Sequence, residues 1–98
     1  RIPMMHAYKH ELLSIIHRYL PGSKVYLFGS RARGTHQSGS DIDLAVDAGK
    51  KVGIDTILNI KATIEETTIP LFVDVVDIHA VADDFKQEIL KDALLWTD

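Results

Sequence analysis

Two aspartates, Asp41 and Asp43, stand one residue apart in Ser40-Asp41-Ile42-Asp43-Leu44. On an extended strand alternate side chains share a face, so both carboxylates emerge together. Oxygen ligands held this close suit Mg²⁺, which takes one or two protein carboxylates and completes its shell with substrate phosphates. Ten residues separate Asp41 from an upstream Gly29-Ser30 pair. Gly29 has no side chain to keep a phosphate from the backbone. Ser30 opens a helical turn and offers a hydroxyl and free N–H groups to anionic oxygens. A third carboxylate is expected from Asp74, an acid inside Phe72-Val73-Asp74-Val75-Val76, a run that otherwise reads as buried. An ionised Asp is rarely buried unless it is paired or bound to metal. Asp77, at the end of the same run, is the alternative. Two carboxylates about 5 Å apart repel by roughly 3 kcal/mol at an effective dielectric near 20, so the arrangement calls for a cation. A lone Asp-x-Asp is often the wet face of an amphipathic strand. Joined to Gly-Ser at this distance, it is a much more specific signal.

The elements that must position these groups follow from periodicity. Residues 4–20 predict a helix, with Tyr8, Leu12, Ile15, Ile16 and Tyr19 at three- and four-residue spacing, stopped by Pro21-Gly22. Residues 25–28 predict a buried strand ending at Gly29, and Ser30 begins a short helical turn closed by Gly34. Residues 41–47 alternate: Ile42, Leu44 and Val46 face one way, and Asp41, Asp43, Ala45 and Asp47 the other, as in a half-buried strand. A loop then leads to a helix over 54–68, with Ile54, Ile57, Ile60 and Ile64 in step. A strand over 71–76, entered through Pro70, and a final helix over 82–96 complete the chain. The order α-β-α-β-α-β-α predicts an α/β (α+β) fold, a three-stranded mixed sheet with flanking helices. The first two strands are joined closely enough to be antiparallel, and the long helix between the second and third gives a parallel crossover.

The chain has 98 residues, a formal charge of −3 and no cysteine. One domain spanning 1–98 is expected, burying about two-thirds of the surface of its unfolded chain. A shallow cleft open to a large partner suits that size better than a deep cavity. Disulfides, thiolate metal sites and cysteine nucleophiles are excluded. The basic residues are scattered rather than gathered in the stripe that duplex nucleic-acid binders use. The apolar runs are too short to span a membrane, and Arg1-Ile2-Pro3 has no apolar leader character. Because the chain does not open on Met, those residues read as a trimmed or appended end. A cytoplasmic location is the expectation.

The stretch Phe28-Gly29-Ser30-Arg31-Ala32-Arg33-Gly34, with Ser40-Asp41-Ile42-Asp43-Leu44 and Val73-Asp74-Val75-Val76-Asp77, resembles the DNA polymerase β-type nucleotidyltransferase superfamily. It is most similar to the minimal nucleotidyltransferases of bacteria and archaea, many encoded beside a HEPN-domain protein. The resemblance implies that Asp41, Asp43 and Asp74 are the catalytic and metal residues, with two Mg²⁺ ions in the active complex. Asp74 would help activate the attacking hydroxyl, and Gly29 and Ser30 would hold the triphosphate of ATP. Arg31 and Arg33 could offset the charge of the leaving pyrophosphate; both also read as solvated charges on a short helix, and Arg33 could instead touch the partner. The resemblance further implies an antitoxin that adenylylates a tyrosine of a HEPN ribonuclease toxin. The extra domains of aminoglycoside, poly(A) and tRNA nucleotidyltransferases are not expected here, which makes those substrates poorer matches.

Other residues read as background. His6, His10 and His17 share a helix face that could chelate a metal but reads better as solvated. His36 lies in the loop before the acids, where it could approach the nucleotide. His79 is expected to cap or begin an element, and Lys50 and Lys51 to be solvated. Leu95 and Trp96 either fold back on the core or form a partner-binding patch. Two rival functions stand beside protein adenylylation: a non-catalytic module that neutralises its partner by contact, and a subunit acting on a small-molecule hydroxyl.

Overall fold

The computed structural model describes residues 6–97. Arg1-Ile2-Pro3 and the predicted helix start at Met4 lie outside the described residues. Helix α1 (His6–Tyr19) buries Leu12, Ile15 and Ile16, the stripe its spacing dictates. A turn through Gly22 leads into β1 (Lys24–Phe28). A single helical turn, α2 (Ser30–Arg33), and a loop follow before β2 (Ile42–Asp47). Helix α3 (Ile54–Glu65) buries Ile57, Ile60 and Ile64, and stops short of the predicted Thr68. There the Thr67 hydroxyl donates to the Ile64 carbonyl at 2.6 Å. Strand β3 (Val73–Asp77) is next, then α4 (Asp83–Asp92) and β4 (Leu94–Leu95).

Among the described residues the sheet has four strands in the order β3-β2-β1-β4. As predicted, β1 and β2 are antiparallel and β2 and β3 parallel. The three-strand expectation is corrected at the end of the chain, where the helix predicted over 82–96 stops at Asp92. Ala93 is extended (φ −64°, ψ 142°), and Leu94 and Leu95 pair antiparallel with Leu27 and Tyr26. Helical spacing of Ile89, Leu90, Ala93 and Leu94 could not reveal this. The deciding force is the open edge of β1, whose unpaired backbone groups recruit the nearest extended segment. Trp96 folds back on the core at 7% exposure, its N–H donating to the Val25 carbonyl at 2.8 Å, while Leu94 and Leu95 stay half exposed.

A second correction concerns β2. Its outer face is not wet throughout, because Ala45 is fully buried with Ile78 and Ile89 beneath Tyr26, Phe28, Val76 and Val81. Helix α4 covers that half of the face, with Phe85 edge-on to Phe28 at 6.2 Å. The small side chain at Ala45 gives Ile89 of α4 room to pack there. The main core lies on the other face, where α1 and α3 meet Val25, Leu27, Ile42, Leu44, Val46, Val73 and Val75.

Candidate active site

The strand register assembles the acids. Asp43 stands opposite Asp74 on β3 and opposite Phe28 on β1. Paired residues on adjacent strands share a face, so the Asp43 and Asp74 carboxylates lie side by side, beyond the part of the sheet that α4 covers. Asp41 is exposed in the loop just before β2. Asp77 has the opposite parity, that of Val73 and Val75, and is buried. Its Oδ2 accepts the Val52 N–H at 2.6 Å and its Oδ1 accepts the His79 N–H at 3.0 Å. Asp77 thus braces two loops on the far side, and Asp74 is the acid that joins Asp43.

Electrostatics single out Asp43. Burial pushes its carboxyl above the usual carboxylate range, the charges of Asp74 and Asp41 push it further, and Arg33 offsets part of the rise. Gly29 lies directly against it. At φ 77° and ψ −157° Gly29 occupies backbone space essentially reserved for glycine. A Cβ there would collide with the Asp43 Oδ2 and stand 3.3 Å from its Cγ. The turn between β1 and α2 and the acid of β2 therefore touch because residue 29 has no side chain. The Gly29 carbonyl accepts the Ala32 and Arg33 N–H groups at 3.1 and 3.2 Å. The preceding N–H groups, of Ser30 and Arg31, are the orphan donors of a helix start.

The solvated reading of Arg31 is corrected by the structure. The side chain is buried at 7% exposure. Its Nε donates to the Ser40 carbonyl at 3.1 Å, and its Nη2 donates to the Ser40 and Ser38 carbonyls at 2.8 and 3.2 Å. Arg31 clamps the loop that delivers Asp41. Arg31→Lys is expected to destabilise the fold by about 1 kcal/mol, because an ammonium cannot reproduce the planar fork and leaves the Ser38 and Ser40 carbonyls short of protein donors. Urea unfolding checks this, and unchanged stability would remove the clamp. Arg33, by contrast, is exposed.

Sequence reasoning passed over Lys61. Its Nζ lies 3.3 Å from the Asp74 Oδ1, each side chain a little over a third exposed. The available signal was a lysine four residues after Ile57 and three before Ile64, bordering the buried stripe of α3. His36 is exposed in the loop, and Lys50 and Lys51 are exposed as expected. Of the histidine face, His17 Nε2 donates to the Ser23 carbonyl at 2.9 Å and His10 is exposed, and the His6 side chain lies outside the described residues. His79 ties loops together, its Nε2 2.7 Å from the Asp47 Oδ1. Among the described residues no three His, Asp or Glu side chains form a ready-made metal cage. The acids still fit Mg²⁺. All their donors are oxygen, the central one is held uncomfortably negative, and a hard dication completes its shell with phosphates rather than with a full protein cage. No helix among the described residues is long and apolar enough to cross a membrane.

Comparison with known proteins agrees with this geometry. The family model described as "Polymerase beta, Nucleotidyltransferase" matches residues 10–97. The chain is 30% identical over 78 residues to the "Probable protein adenylyltransferase MntA" of Haemophilus influenzae, covering 80% of this chain and 68% of that protein. Its fold is similar to a crystal structure of a toxin–antitoxin with AMP-PNP, at a TM-score of 0.78 and 22% identity over 91% of this chain and 72% of that one. It is also similar to a structure of the tri-AMPylated Shewanella oneidensis HEPN toxin in complex with MNT antitoxin. There the TM-score is 0.76 at 19% identity, covering 96% of this chain and 72% of the other. Motif, register and family match converge, and the chain belongs to the polymerase β nucleotidyltransferase family.

Proposed function

We propose that this protein transfers AMP from Mg·ATP to a hydroxyl of a partner protein, a HEPN-type toxin, and thereby acts as a cytoplasmic antitoxin. The observation that carries the reading is the contact between Gly29 and Asp43 with Asp74 alongside, which sets a phosphate-binding turn against a pair of acids. The name of the Haemophilus relative and the toxin complexes among similar folds supply the acceptor class.

Within this reading the Ser30 and Arg31 N–H groups and the Ser30 hydroxyl hold the triphosphate. Asp41 and Asp43 are the principal metal ligands, and Asp74 completes the set. When bound, two Mg²⁺ ions offset charge on the attacking and leaving oxygens of an in-line displacement. Asp74 accepts the proton as the acceptor oxygen bonds to the α-phosphorus and the bond to the pyrophosphate oxygen breaks. Protein–OH and ATP thus become protein–O–AMP, pyrophosphate and a proton. Lys61 holds Asp74 oriented, and Arg33 offsets charge beside Asp43.

Incubation with α-labelled ATP, Mg²⁺ and the product of the neighbouring gene tests the proposal, beside an Asp41→Asn/Asp43→Asn control. Label on that protein, absent with the control, is the expected result. If the double variant silences the partner as well as the wild type does, inhibition is by contact and the transferase reading fails. Label confined to a small molecule would replace the protein acceptor.

A further inference from the structure

Phe72 opens a run that reads as buried, yet it is 60% exposed, between Leu71, which packs against the core, and the buried Val73. A single exposed apolar side chain is ordinary on a protein surface, but the place of this one is not. Its carbonyl accepts the Ile42 N–H at 2.9 Å, so the backbone at Phe72 still lies along β2. Two residues before Asp74 on an extended segment, Phe72 shares the face of that acid, and the Val73 side chain between them goes to the core. Asp41 and Phe72 immediately precede the first β2–β3 pair, Ile42 with Val73.

The registers also fix what lies on the other side of the acids. Phe28 pairs with Asp43, and β1 runs antiparallel to β2, so Gly29 and Ser30 continue toward the same end of the sheet as Asp41. Across that end stand the phosphate-binding turn on the β1 side, Asp41 and Asp43 in the middle, and Asp74 with Phe72 on the β3 side. In an in-line displacement the attacking and leaving oxygens lie on opposite sides of the phosphorus. Pyrophosphate held at the Ser30 turn leaves toward β1, so the acceptor oxygen comes from the β3 side. Lys61 faces the Asp74 Oδ1, which leaves Oδ2 to meet the acceptor hydroxyl.

We propose that Phe72 is the acceptor-binding platform of this site: its ring packs on the ring of an acceptor tyrosine and sets that residue's hydroxyl at Asp74. The inference rests on the protein adenylylation proposed above. Phe72 and Asp74 are about 6.5 Å apart along the strand, and packed aromatic rings sit about 4.5–7 Å apart between centroids. A tyrosine ring held on Phe72 therefore lies beside the acid, with its hydroxyl at the end of the ring that is farthest from its own backbone. Serine and threonine carry the hydroxyl directly on Cβ. Their main chain would have to come down onto the acids, and they offer the Phe72 ring nothing to pack against. An aromatic pair contributes binding beyond its buried area, so the platform favours the phenol.

AMP transfer to the purified product of the neighbouring gene, with the modified residue mapped by mass spectrometry, tests the platform in Phe72→Ala, Phe72→Leu and Phe72→Trp. Label is expected on a tyrosine. Phe72→Ala is expected to lower kcat/KM for the acceptor at least about tenfold, chiefly through KM, with KM for ATP within about twofold. Phe72→Leu keeps apolar bulk without a ring and should fall at least about threefold, whereas Phe72→Trp should stay within about twofold of the wild type. Because the side chain is exposed, each variant should melt within about 4 °C of the wild type, which separates these losses from unfolding. Phe72→Ala with wild-type kcat/KM, or label mapped to serine or threonine, would overturn the platform and leave the transferase standing. A raised KM for ATP with an unchanged KM for the acceptor would place the ring against the nucleotide base and overturn the platform as well. A wild type that transfers AMP to no protein would remove the adenylylation reading, and this inference with it.

Discussion

Asp43→Asn is expected to abolish AMP transfer while raising the melting temperature of the nucleotide-free protein. Two adjacent-strand carboxylates about 5 Å apart repel by roughly 3 kcal/mol at an effective dielectric of 20, and partial exposure reduces this to about 1 kcal/mol. Asn fills the same space without the charge, so that strain disappears. The proposed metal ligand disappears with it, and loss of several kcal/mol of transition-state stabilisation lowers the rate at least about 10³-fold. A residue that merely supported the fold would lose stability and activity together.

The pH dependence fixes the sign. The Asp43 carboxyl lies above its unfolded value of 3.8, so the native state holds the proton more tightly than the unfolded chain does. Its destabilising contribution is fully present above the raised native pKa. It fades as pH falls through that value and is gone below 3.8. Asp47 works in the opposite sense. Burial raises its carboxyl, but hydrogen bonds from His79 and Gly49 and the His79 charge outweigh this and hold it below 3.8, so its support is lost only as pH falls through that lowered value. Calorimetry from pH 4 to 8 (about the range that brackets the change) on wild type and Asp43→Asn checks the point. The variant's advantage should be largest near neutrality and shrink toward pH 4. Mg²⁺ with a non-hydrolysable ATP analogue should stabilise the wild type more than the variant. A variant less stable than wild type at neutral pH would refute the strained-acid account.

Gly29→Ala is expected to cost both stability and chemistry. The backbone at residue 29 is one that alanine avoids by about 1–3 kcal/mol. The added methyl also has nowhere to go, because the Asp43 carboxylate occupies the place. Either the turn or Asp43 must shift, and a displacement near 1 Å at a reacting centre costs about 100-fold in rate. Gly22→Ala is the matching control. Gly22 also has positive φ (80°), but nothing lies within 4 Å of its would-be Cβ. It should lose about 1 kcal/mol from backbone preference alone and keep its activity. Urea unfolding with single-turnover kinetics separates the two. Equal behaviour of the two variants would show that the contact with Asp43 does not matter.

The pairing of Asp43 with Asp74 was legible because strand parity depends on sequence alone and a parallel neighbour had to lie beside β2, whereas Asp41 lies in the loop just before β2, outside that alternation. Choosing Asp74 over Asp77 needed the register, since both sit in the same run and only pairing decides which faces Asp43. The role of Arg31 was illegible for a different reason. Arginine beside a phosphate-binding turn suggests a phosphate ligand, and only the fold shows that the loop's own carbonyls claim it first. Lys61 was hidden because helical periodicity locates apolar stripes and says nothing of what a bordering lysine reaches across to. The last strand was missed where local preference and tertiary demand compete. Ala93 and Leu94 keep helical spacing with Ile89 and Leu90, yet the vacant edge of β1 wins.

That final strand also sets the order in which this protein can be made. The Val25 N–H donates to the Thr97 hydroxyl at 3.3 Å and the Val25 carbonyl receives the Trp96 N–H, contacts across some seventy residues of chain. Pairings so distant in sequence close late, because loop-closure entropy must be overcome before they form. On the ribosome β1 is made early, but one side of it stays uncovered until residues 94–97 have left the exit tunnel. The nascent chain therefore carries an open strand edge from the emergence of β1 until residues 94–97 follow it. This is a state in which chaperones have something to hold and aggregation has something to grow from.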